Sequence, residues 1–194
     1  MKITSDYLVI GSGIAGLSFA LKVAEHGSVA IVTKRSISET ATGLAQGGIA
    51  SVISADDSFE AHIRDTMVAG AFLSREEVVR MVVESGPEAI RDLVDWGVEF
   101  TRKDDHSFDL TRESGHSHRR ILHAQDITGR EIERALVEAA GKHPNITVYA
   151  EHIGIDLPHP RHYTVKTTPE FASLKARLTE EIRVESIRAA EAEH

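Results

Sequence analysis

The sequence of 194 residues contains no cysteine. This absence excludes disulfides, thiolate chemistry and a cysteine-ligated iron–sulfur cluster within the chain, and it fits a reducing compartment. Long apolar runs are also missing, since none approaches the roughly 20 residues that a transmembrane helix needs. Residues 1–6, which read MKITSD, resemble neither a signal peptide nor a lipidation motif. We therefore expect a cytoplasmic protein with no membrane partner.

An excess of positive charge is lacking as well. Lysine and arginine together number 22 against 30 aspartates and glutamates, which gives a formal net charge of −8. Nucleic acids are bound through basic surfaces that neutralise phosphates, so we expect no nucleic-acid partner. The remaining composition, 41% hydrophobic and 27% charged, is that of an ordinary globular protein.

A glycine-rich turn lies near the start of the chain. Residues 7–16 read YLVIGSGIAG, a short apolar strand that runs into Gly11, Gly13 and Gly16. In this spacing the first glycine permits a tight turn, the second leaves room for phosphates, and the third lets the next helix pack on the strand. A helix and a second strand are predicted over residues 17–32. The pattern predicts that the helix N-terminus binds a dinucleotide pyrophosphate.

The residues after the second strand indicate which dinucleotide is bound. An NAD site places an acid about 20 residues beyond the first glycine, where it holds the ribose hydroxyls. Here residues 33–36 read TKRS, and the first acid is Glu39. Arg35 could meet the 2′-phosphate of NADP, so that cofactor stays open. Residues 36–50 are small and hydroxylated and bury little apolar area, so they need a ligand or neighbour to hold them, which favours FAD.

A second concentration of chemistry lies between residues 111 and 130. Arginine and protonated histidine give charge-assisted hydrogen bonds to carboxylates, and a carboxylate can meet an ammonium group, so the segment suits a dicarboxylate ligand. Two alternatives stay open: a metal site built on the histidines and Asp126, and structural pairing of Arg119 or Arg120 with surface acids. The charged residues are Arg112, Glu113, His116, His118, Arg119, Arg120, His123, Asp126 and Arg130.

The rest of the sequence predicts a scaffold. Apolar residues at spacings of three and four predict helices over residues 58–71, 74–85, 87–96 and 128–141, with a break at Gly86-Pro87, and residues 146–150 predict a third parallel strand. This order predicts an α/β fold with a Rossmann-like, doubly wound parallel sheet, a helical insertion and a C-terminal helix. Met67, Met81 and Trp96 are expected in the core, and His62 at the surface.

Three segments together resemble one family. They are the glycine-rich turn, residues 42–50 (TGLAQGGIA), and residues 112–123 (RESGHSHRRILH) followed by Asp126, Thr128, Gly129 and Arg130. The first two are similar to the succinate dehydrogenase and fumarate reductase flavoprotein superfamily in general. The third resembles the L-aspartate oxidase branch. The resemblance covers roughly residues 3 to 157.

The resemblance implies an FAD site. The adenosine ribose would lie near Lys34 and the adenine near Ile153 and Gly154. The pyrophosphate would lie at the glycine-rich turn, formed by Gly11, Ser12, Gly13, Ile14, Ala15 and Gly16. The loop after the second strand would lie along the pyrophosphate and the isoalloxazine, with contacts from Ala41, Thr42, Gly43, Leu44, Ala45, Gln46, Gly47 and Gly48. Ala41 stands where membrane-bound succinate dehydrogenases carry the histidine that attaches FAD covalently, so we expect non-covalent FAD.

The resemblance also implies a reaction. L-Aspartate would be oxidised to iminoaspartate, the first step of de novo NAD biosynthesis, and O₂ or fumarate would reoxidise the flavin. Glu113 matches the residue that orients the substrate amino group, with His116 and Ser117 close to it. The alternatives are a fumarate reductase or succinate dehydrogenase fragment, disfavoured by Ala41 and the run from residue 115 to 123, and a non-enzymatic dinucleotide-binding module.

The resemblance ends before the chain does. We expect residues 1–157 to be the N-terminal portion of an FAD-binding domain and residues 158–194 to be a divergent tail, helical from about residue 169. That helix would dock on the domain or on a second copy of the chain. Family members supply further substrate ligands and the proton-transfer residue from later segments, so the chain is expected to be a poor catalyst alone.

Overall fold

The computed structural model describes residues 3–124, 127–152, 168–177 and 179–180. The chain divides into two compact units, Met1–His152 and Ile153–His194. The predicted adenine contacts at Ile153 and Gly154 lie outside the described residues, as does Asp126. In the second unit, residues 169–177 and 179–180 are helical, and the remainder of the predicted tail helix lies outside the described part.

The first unit is built on a parallel sheet. Its strand order is β1-β2-β5, with Tyr7 paired to Val29 and Val29 to Ile146. This confirms the predicted α/β fold with a parallel sheet. The strands are β1 (Tyr7–Ile10), β2 (Val29–Val32), β3 (Ile49–Ala50), β4 (Ile121–Leu122) and β5 (Ile146–Tyr149), and the helices are α1 (Ile14–Val23), α2 (Phe59–Ala69), α3 (Glu76–Asp95) and α4 (Thr128–Lys142), with a 3₁₀ turn at Thr42–Leu44.

The main core forms where α1 and α4 pack on the sheet. Leu17 of α1, Ile31 of β2 and Leu136 of α4 are completely buried in one apolar cluster. Their spacing explains the packing, because apolar residues three to four positions apart share one helix face while alternate strand residues share one sheet face. This core holds the carboxyl ends of the strands, and the loops that follow them, in fixed positions.

Helix α3 differs from the sequence prediction. The predicted break at Gly86-Pro87 is wrong, since α3 continues through Pro87 from Glu76 to Asp95. A proline inside a helix costs about 3 kcal/mol because it removes a backbone donor and crowds the preceding turn. Burial outweighs that cost at roughly 1.5–3 kcal/mol for each large apolar side chain. The buried residues lie on both sides of the proline: Val79, Val83, Ile90 and Leu93.

The predicted core residues on this scaffold have mixed outcomes. Met67 and Trp96 are partly buried against the second and the main apolar cluster, respectively. The prediction for Met81 is wrong, because its side chain is 60% exposed. Within the described residues, no helix combines the length and the apolar character needed to cross a membrane.

Candidate functional site

The glycine-rich turn forms an open cradle at the start of α1. Gly11 has a φ of +99°, a conformation that favours glycine, and a Cβ at Gly16 would overlap the carbonyl oxygen of Gly11. Helix α1 therefore begins in direct contact with β1. Its N-cap residue is Gly13, which has no side chain, and its first turn contains no acid. Backbone amides at such a helix end are donors for an anion, so the cradle fits a pyrophosphate.

The loop of residues 41–48 reaches this cradle. The amide of Ile14 donates to Thr42 Oγ1 over 3.0 Å, and a Cβ at Gly13 would lie only 3.3 Å from the same oxygen. The loop also contacts the start of α4, where the amide of Gly129 donates to the Ala45 carbonyl over 3.0 Å. A Cβ at Gly129 would overlap the Thr42 carbonyl oxygen. Gly129 therefore sets how closely the loop approaches α4, a role that the sequence analysis missed.

A buried carboxyl lies under the same loop. Glu133 of α4 is 3% exposed, and its Oε2 accepts a 2.7 Å hydrogen bond from Thr40 Oγ1. Its Oε1 has no partner among the described residues. Burial raises the pKa of Glu133, and the bond from Thr40 only partly opposes this effect. Glu133 lies on the buried face of α4. The sequence analysis missed it because glutamate is a residue type that is usually exposed.

Strands β3 and β4 join the two regions that the sequence analysis singled out. β3 follows residues 41–48 directly, and β4 lies inside the segment from 111 to 130. Ile49 pairs with Leu122, and a Cβ at Gly48 would overlap the Leu122 carbonyl oxygen. The predicted cofactor loop and the predicted substrate segment therefore lie side by side, which is the arrangement that a ligand in contact with both would need.

Glu113 lies on a tight turn at the tip of this segment. The amide of His116 donates to the Glu113 carbonyl over 3.3 Å, and Gly115 has a φ of +88°. Glu113 is exposed, and its side chain makes no hydrogen bond or ion pair with any residue that the structure describes. Its carboxylate is therefore available to a ligand, and its predicted role in substrate orientation stays a prediction.

Arg120 anchors the turn from inside the protein. Its side chain is fully buried; Nε and Nη2 donate to the two oxygens of Asp57 over 2.8 Å, and Nη1 donates to Asp65 Oδ2 over 2.7 Å. Asp65 Oδ2 also accepts from the amide and hydroxyl of Ser117, each over 2.7 Å. The structural pairing expected as one alternative is thus present at Arg120, but its location is corrected, because the partner Asp57 is almost completely buried and is not a surface acid.

The two aspartates are held in the charged form. Burial raises the pKa of both carboxyl groups, but hydrogen bonds and the charge of Arg120 outweigh it, so the pKa of Asp57 and that of Asp65 lie below the usual range. The sequence analysis missed both residues because they lie more than 50 positions from Arg120. The sequence gives one signal of the role of Asp65: it lies three residues after His62, on the same face of α2.

His62 is buried, which corrects the prediction of a surface residue. It is 7% exposed, its Nδ1 has no partner among the described residues, and its ring centroid lies 5.6 Å from that of His116. Burial lowers the pKa of His62, and the positive charge of Arg120 acts in the same direction. The neutral ring therefore packs behind the turn and supports His116.

The metal alternative gains no support from the described residues. Among them, no group of three or more histidine, aspartate or glutamate side chains is arranged to hold a metal ion. His116 and His118 instead have Nδ1 atoms near Arg120, at 3.3 and 3.5 Å from its terminal nitrogens. Lys34 follows β2 at the carboxyl edge of the sheet, and its contact with a ribose stays a prediction.

The fold and the cradle define a dinucleotide-binding flavoprotein domain. The family described as FAD binding domain matches residues 6–189. The chain belongs to this FAD-binding family, within the succinate dehydrogenase and fumarate reductase flavoproteins, and its cofactor is FAD. The helix end without an acidic residue and the missing side chain at Gly13 are the features that fit such a cofactor.

The proteins that this chain resembles include L-aspartate oxidases and a fumarate reductase chain. The chain is 56% identical over 152 residues to L-aspartate oxidase 2-b, chloroplastic, of Nicotiana tabacum, covering 78% of this chain and 24% of that protein. It is 50% identical over 157 residues to L-aspartate oxidase of Vibrio cholerae, covering 78% and 29%. FrdA of E. coli quinol fumarate reductase superposes with a TM-score of 0.73 at 30% identity, covering 77% of this chain and 26% of that one. The chain thus spans about a quarter of the length of these relatives.

The packing of Gly16 against Gly11 gives a test of the cradle. Gly16→Ala should destabilise the protein by about 1–3 kcal/mol, because the added methyl group must push α1 away from β1. FAD affinity, measured by titration of flavin fluorescence, should fall about tenfold or more. Gly141→Ala is the matched control, since Gly141 also lies in a helix and a Cβ there would have no neighbour within 4 Å. Equal FAD affinity of the two variants would contradict the cradle.

Burial of Glu133 gives a pH prediction. Its folded-state pKa is raised above the value of 4.5 for a free side chain, so the folded protein holds the proton more tightly than the unfolded chain. Relative to Glu133→Gln, the native protein should therefore lose free energy of unfolding as the pH rises above about 4.5. Denaturant unfolding across the pH range measures this difference. Glu138→Gln is the control on the same helix, because Lys142 lowers the pKa of Glu138 and reverses the sign.

Proposed function

We propose that this chain forms the FAD-binding part of an enzyme that oxidises L-aspartate to iminoaspartate. The observation that carries the proposal is the exposed, unpaired Glu113 carboxylate on a turn that is anchored beside the loop of residues 41–48. Identity of 56% and 50% to L-aspartate oxidases, against 30% to a fumarate reductase chain, supports the same choice. We further propose that the reaction serves NAD biosynthesis, the role that the family resemblance implies.

FAD would be held by backbone groups. The amides at the start of α1 would bind its pyrophosphate, and the loop from Ala41 to Gly48 would lie along the remainder of the cofactor. When bound, the flavin supplies the two-electron acceptor for the oxidation. Ala41 has no group that could form a covalent bond to the flavin, and the sequence of residues 41–48 contains no histidine, which supports non-covalent binding of the cofactor.

The protein groups supply recognition on the substrate side. Glu113 would accept hydrogen bonds from the substrate ammonium, and its negative charge would favour aspartate over a dicarboxylate that lacks an amino group. His116 lies at the other end of the turn that begins at Glu113, and it would line the same substrate site. Ser117 is committed to Asp65, so in this proposal it supports the site instead of contacting the substrate.

The remaining substrate ligands, the proton-transfer residue and the site for O₂ or fumarate would come from regions that the relatives have and this chain does not match. One feature of the first unit fits such a completion. Leu8 and Ile10 of β1 are 62% and 82% exposed, which is unusual for apolar residues of a parallel strand. We therefore propose that the chain alone binds FAD and aspartate but oxidises aspartate slowly.

Two finer proposals concern the chain as a whole. Apolar residues at Phe171 and Leu174 lie one helical turn apart in the helical part of the second unit, which supports self-association through this segment. The absence of cysteine supports a reducing compartment, and we propose the cytoplasm.

Substrate selectivity tests the proposed role of Glu113. In the FAD-loaded chain, L-aspartate should perturb the visible flavin spectrum more strongly than succinate, which lacks the amino group. Glu113→Gln should leave FAD affinity unchanged but weaken aspartate binding by about 10- to 100-fold, the equivalent of a charge-assisted hydrogen bond of roughly 1.5–3 kcal/mol. Succinate binding should change little.

The control for this experiment is Glu25→Gln, a change at an exposed glutamate just after α1. A preference for succinate over aspartate in the native chain would favour the fumarate reductase alternative. Flavin binding without any response to either dicarboxylate would favour a simple dinucleotide-binding module.

Acid precipitation tests the mode of flavin attachment. FAD should remain in the supernatant when the loaded protein is precipitated, because Ala41 offers no nucleophile. Yellow colour that stays with the washed pellet would contradict non-covalent binding. Ala41→His is the informative variant, since it places an imidazole at the position where related enzymes attach the cofactor.

A further inference from the structure

The segment that carries Glu113 contains two histidines separated by one residue. Both Nδ1 atoms lie near Arg120, but the shortest contact of His118 Nδ1 is with Ser117 Oγ. Arg120 Nη1 lies 3.3 Å from His116 Nδ1. A guanidinium group has donors only, so His116 Nδ1 must be an acceptor with no proton. Nη1 carries two hydrogens, and the other one is directed to Asp65 Oδ2 over 2.7 Å. The neutral ring of His116 therefore carries its proton on Nε2.

His118 has the opposite arrangement. Ser117 Oγ lies 2.7 Å from Asp65 Oδ2 and 2.9 Å from His118 Nδ1. Asp65 is ionised, so the single hydroxyl hydrogen of Ser117 belongs to the contact with Asp65. Ser117 Oγ can then only accept from His118, which requires a proton on His118 Nδ1. Arg120 Nη2 also lies 3.5 Å from this nitrogen, but that separation is at the limit of a hydrogen bond, so the 2.9 Å contact with Ser117 decides the tautomer. Asp57 Oδ1, at 3.6 Å from the same nitrogen, favours the proton as well.

We propose that the two histidines are held in opposite tautomers, so that His116 presents an Nε2–H donor while neutral His118 presents an unprotonated Nε2 acceptor. Arg120 sets the first tautomer, and the Asp65–Ser117 pair sets the second. Asp65, Ser117 and Arg120 are thus positioning residues that act through the imidazole rings. Neither Nε2 atom has a hydrogen-bond partner among the described residues, so both functions are available to a ligand.

The pair has a specific use if the proposed function holds, and this step rests on that function. A donor and an acceptor beside Glu113 match the two charged groups of an α-amino acid. The His116 Nε2–H suits a carboxylate, and the His118 lone pair suits an ammonium hydrogen. With both rings in one tautomer, the site would offer two donors or two acceptors and would distinguish these groups less well.

Nuclear magnetic resonance of the full chain labelled with ¹⁵N-histidine tests the tautomers. Long-range ¹H–¹⁵N correlation spectra at about pH 8, where imidazoles are neutral, show which ring nitrogen carries the proton. We expect the proton of His116 on Nε2 and that of His118 on Nδ1. The chain has 11 histidines, so His116→Gln and His118→Gln serve to assign the two signal sets.

Variants at Ser117 test the cause. Ser117→Ala removes the acceptor, so His118 should lose its Nδ1 proton preference while His116 stays unchanged as an internal control. Ser117→Thr retains a hydroxyl and should restore the native pattern. Two equal tautomers in the native chain, or a His118 signal that Ser117→Ala leaves unchanged, would overturn the proposal. The measurement needs neither FAD nor aspartate, so a chain that failed to bind aspartate would refute the proposed function and leave this result standing.

Discussion

The buried ion triad of Arg120, Asp57 and Asp65 is the constraint on which the substrate side of the structure depends. Three charges leave water here, and each loses several kcal/mol of solvation that only its partners can return. Arg120 meets this requirement with three hydrogen bonds of 2.7–2.8 Å. Removing one partner of such a group costs about 3–5 kcal/mol, because an uncompensated charge stays buried. The triad therefore fixes how the two segments that supply it lie against each other.

These two segments lie more than 50 positions apart in the sequence. Asp57 precedes α2, Asp65 lies within it, and Arg120 precedes β4. Ser117 bonds to Asp65 after the turn that carries Glu113, and the Arg120 amide donates to the Thr111 carbonyl before it, so both ends of the turn are tied to the triad. The exposed carboxylate is thus displayed from a rigid base, which matters for recognition because a flexible loop would lose conformational entropy on binding.

The sequence predicts local features well and distant pairings poorly. β2 lies where the apolar run predicts it, and the roles of Gly11 and Gly16 follow from their spacing, because turn geometry and helix contact are properties of neighbouring residues. The Arg120 triad links positions 55 and 63 residues apart, and no local pattern encodes that partnership. The same limit explains His62, because the ring of His116 that packs against it lies 54 positions away in the sequence. At Pro87 the expectation that proline destabilises a helix is correct, but the helix continues because apolar side chains are buried on both sides of the proline.

The two halves of the site are consequently fixed by different physics. Shape determines the cofactor side, where Gly16, Gly48 and Gly129 each allow a backbone contact that a single methyl group would block. Charge determines the substrate side, where volume is less critical than the match between donors and acceptors around Arg120. An added carbon should therefore harm the cofactor side and be tolerated on the exposed turn, whereas an isosteric change that removes charge should have the reverse effect. Because β3 and β4 join the two halves, a ligand that contacts both must fit the shape of the cofactor side and the charges of the substrate side.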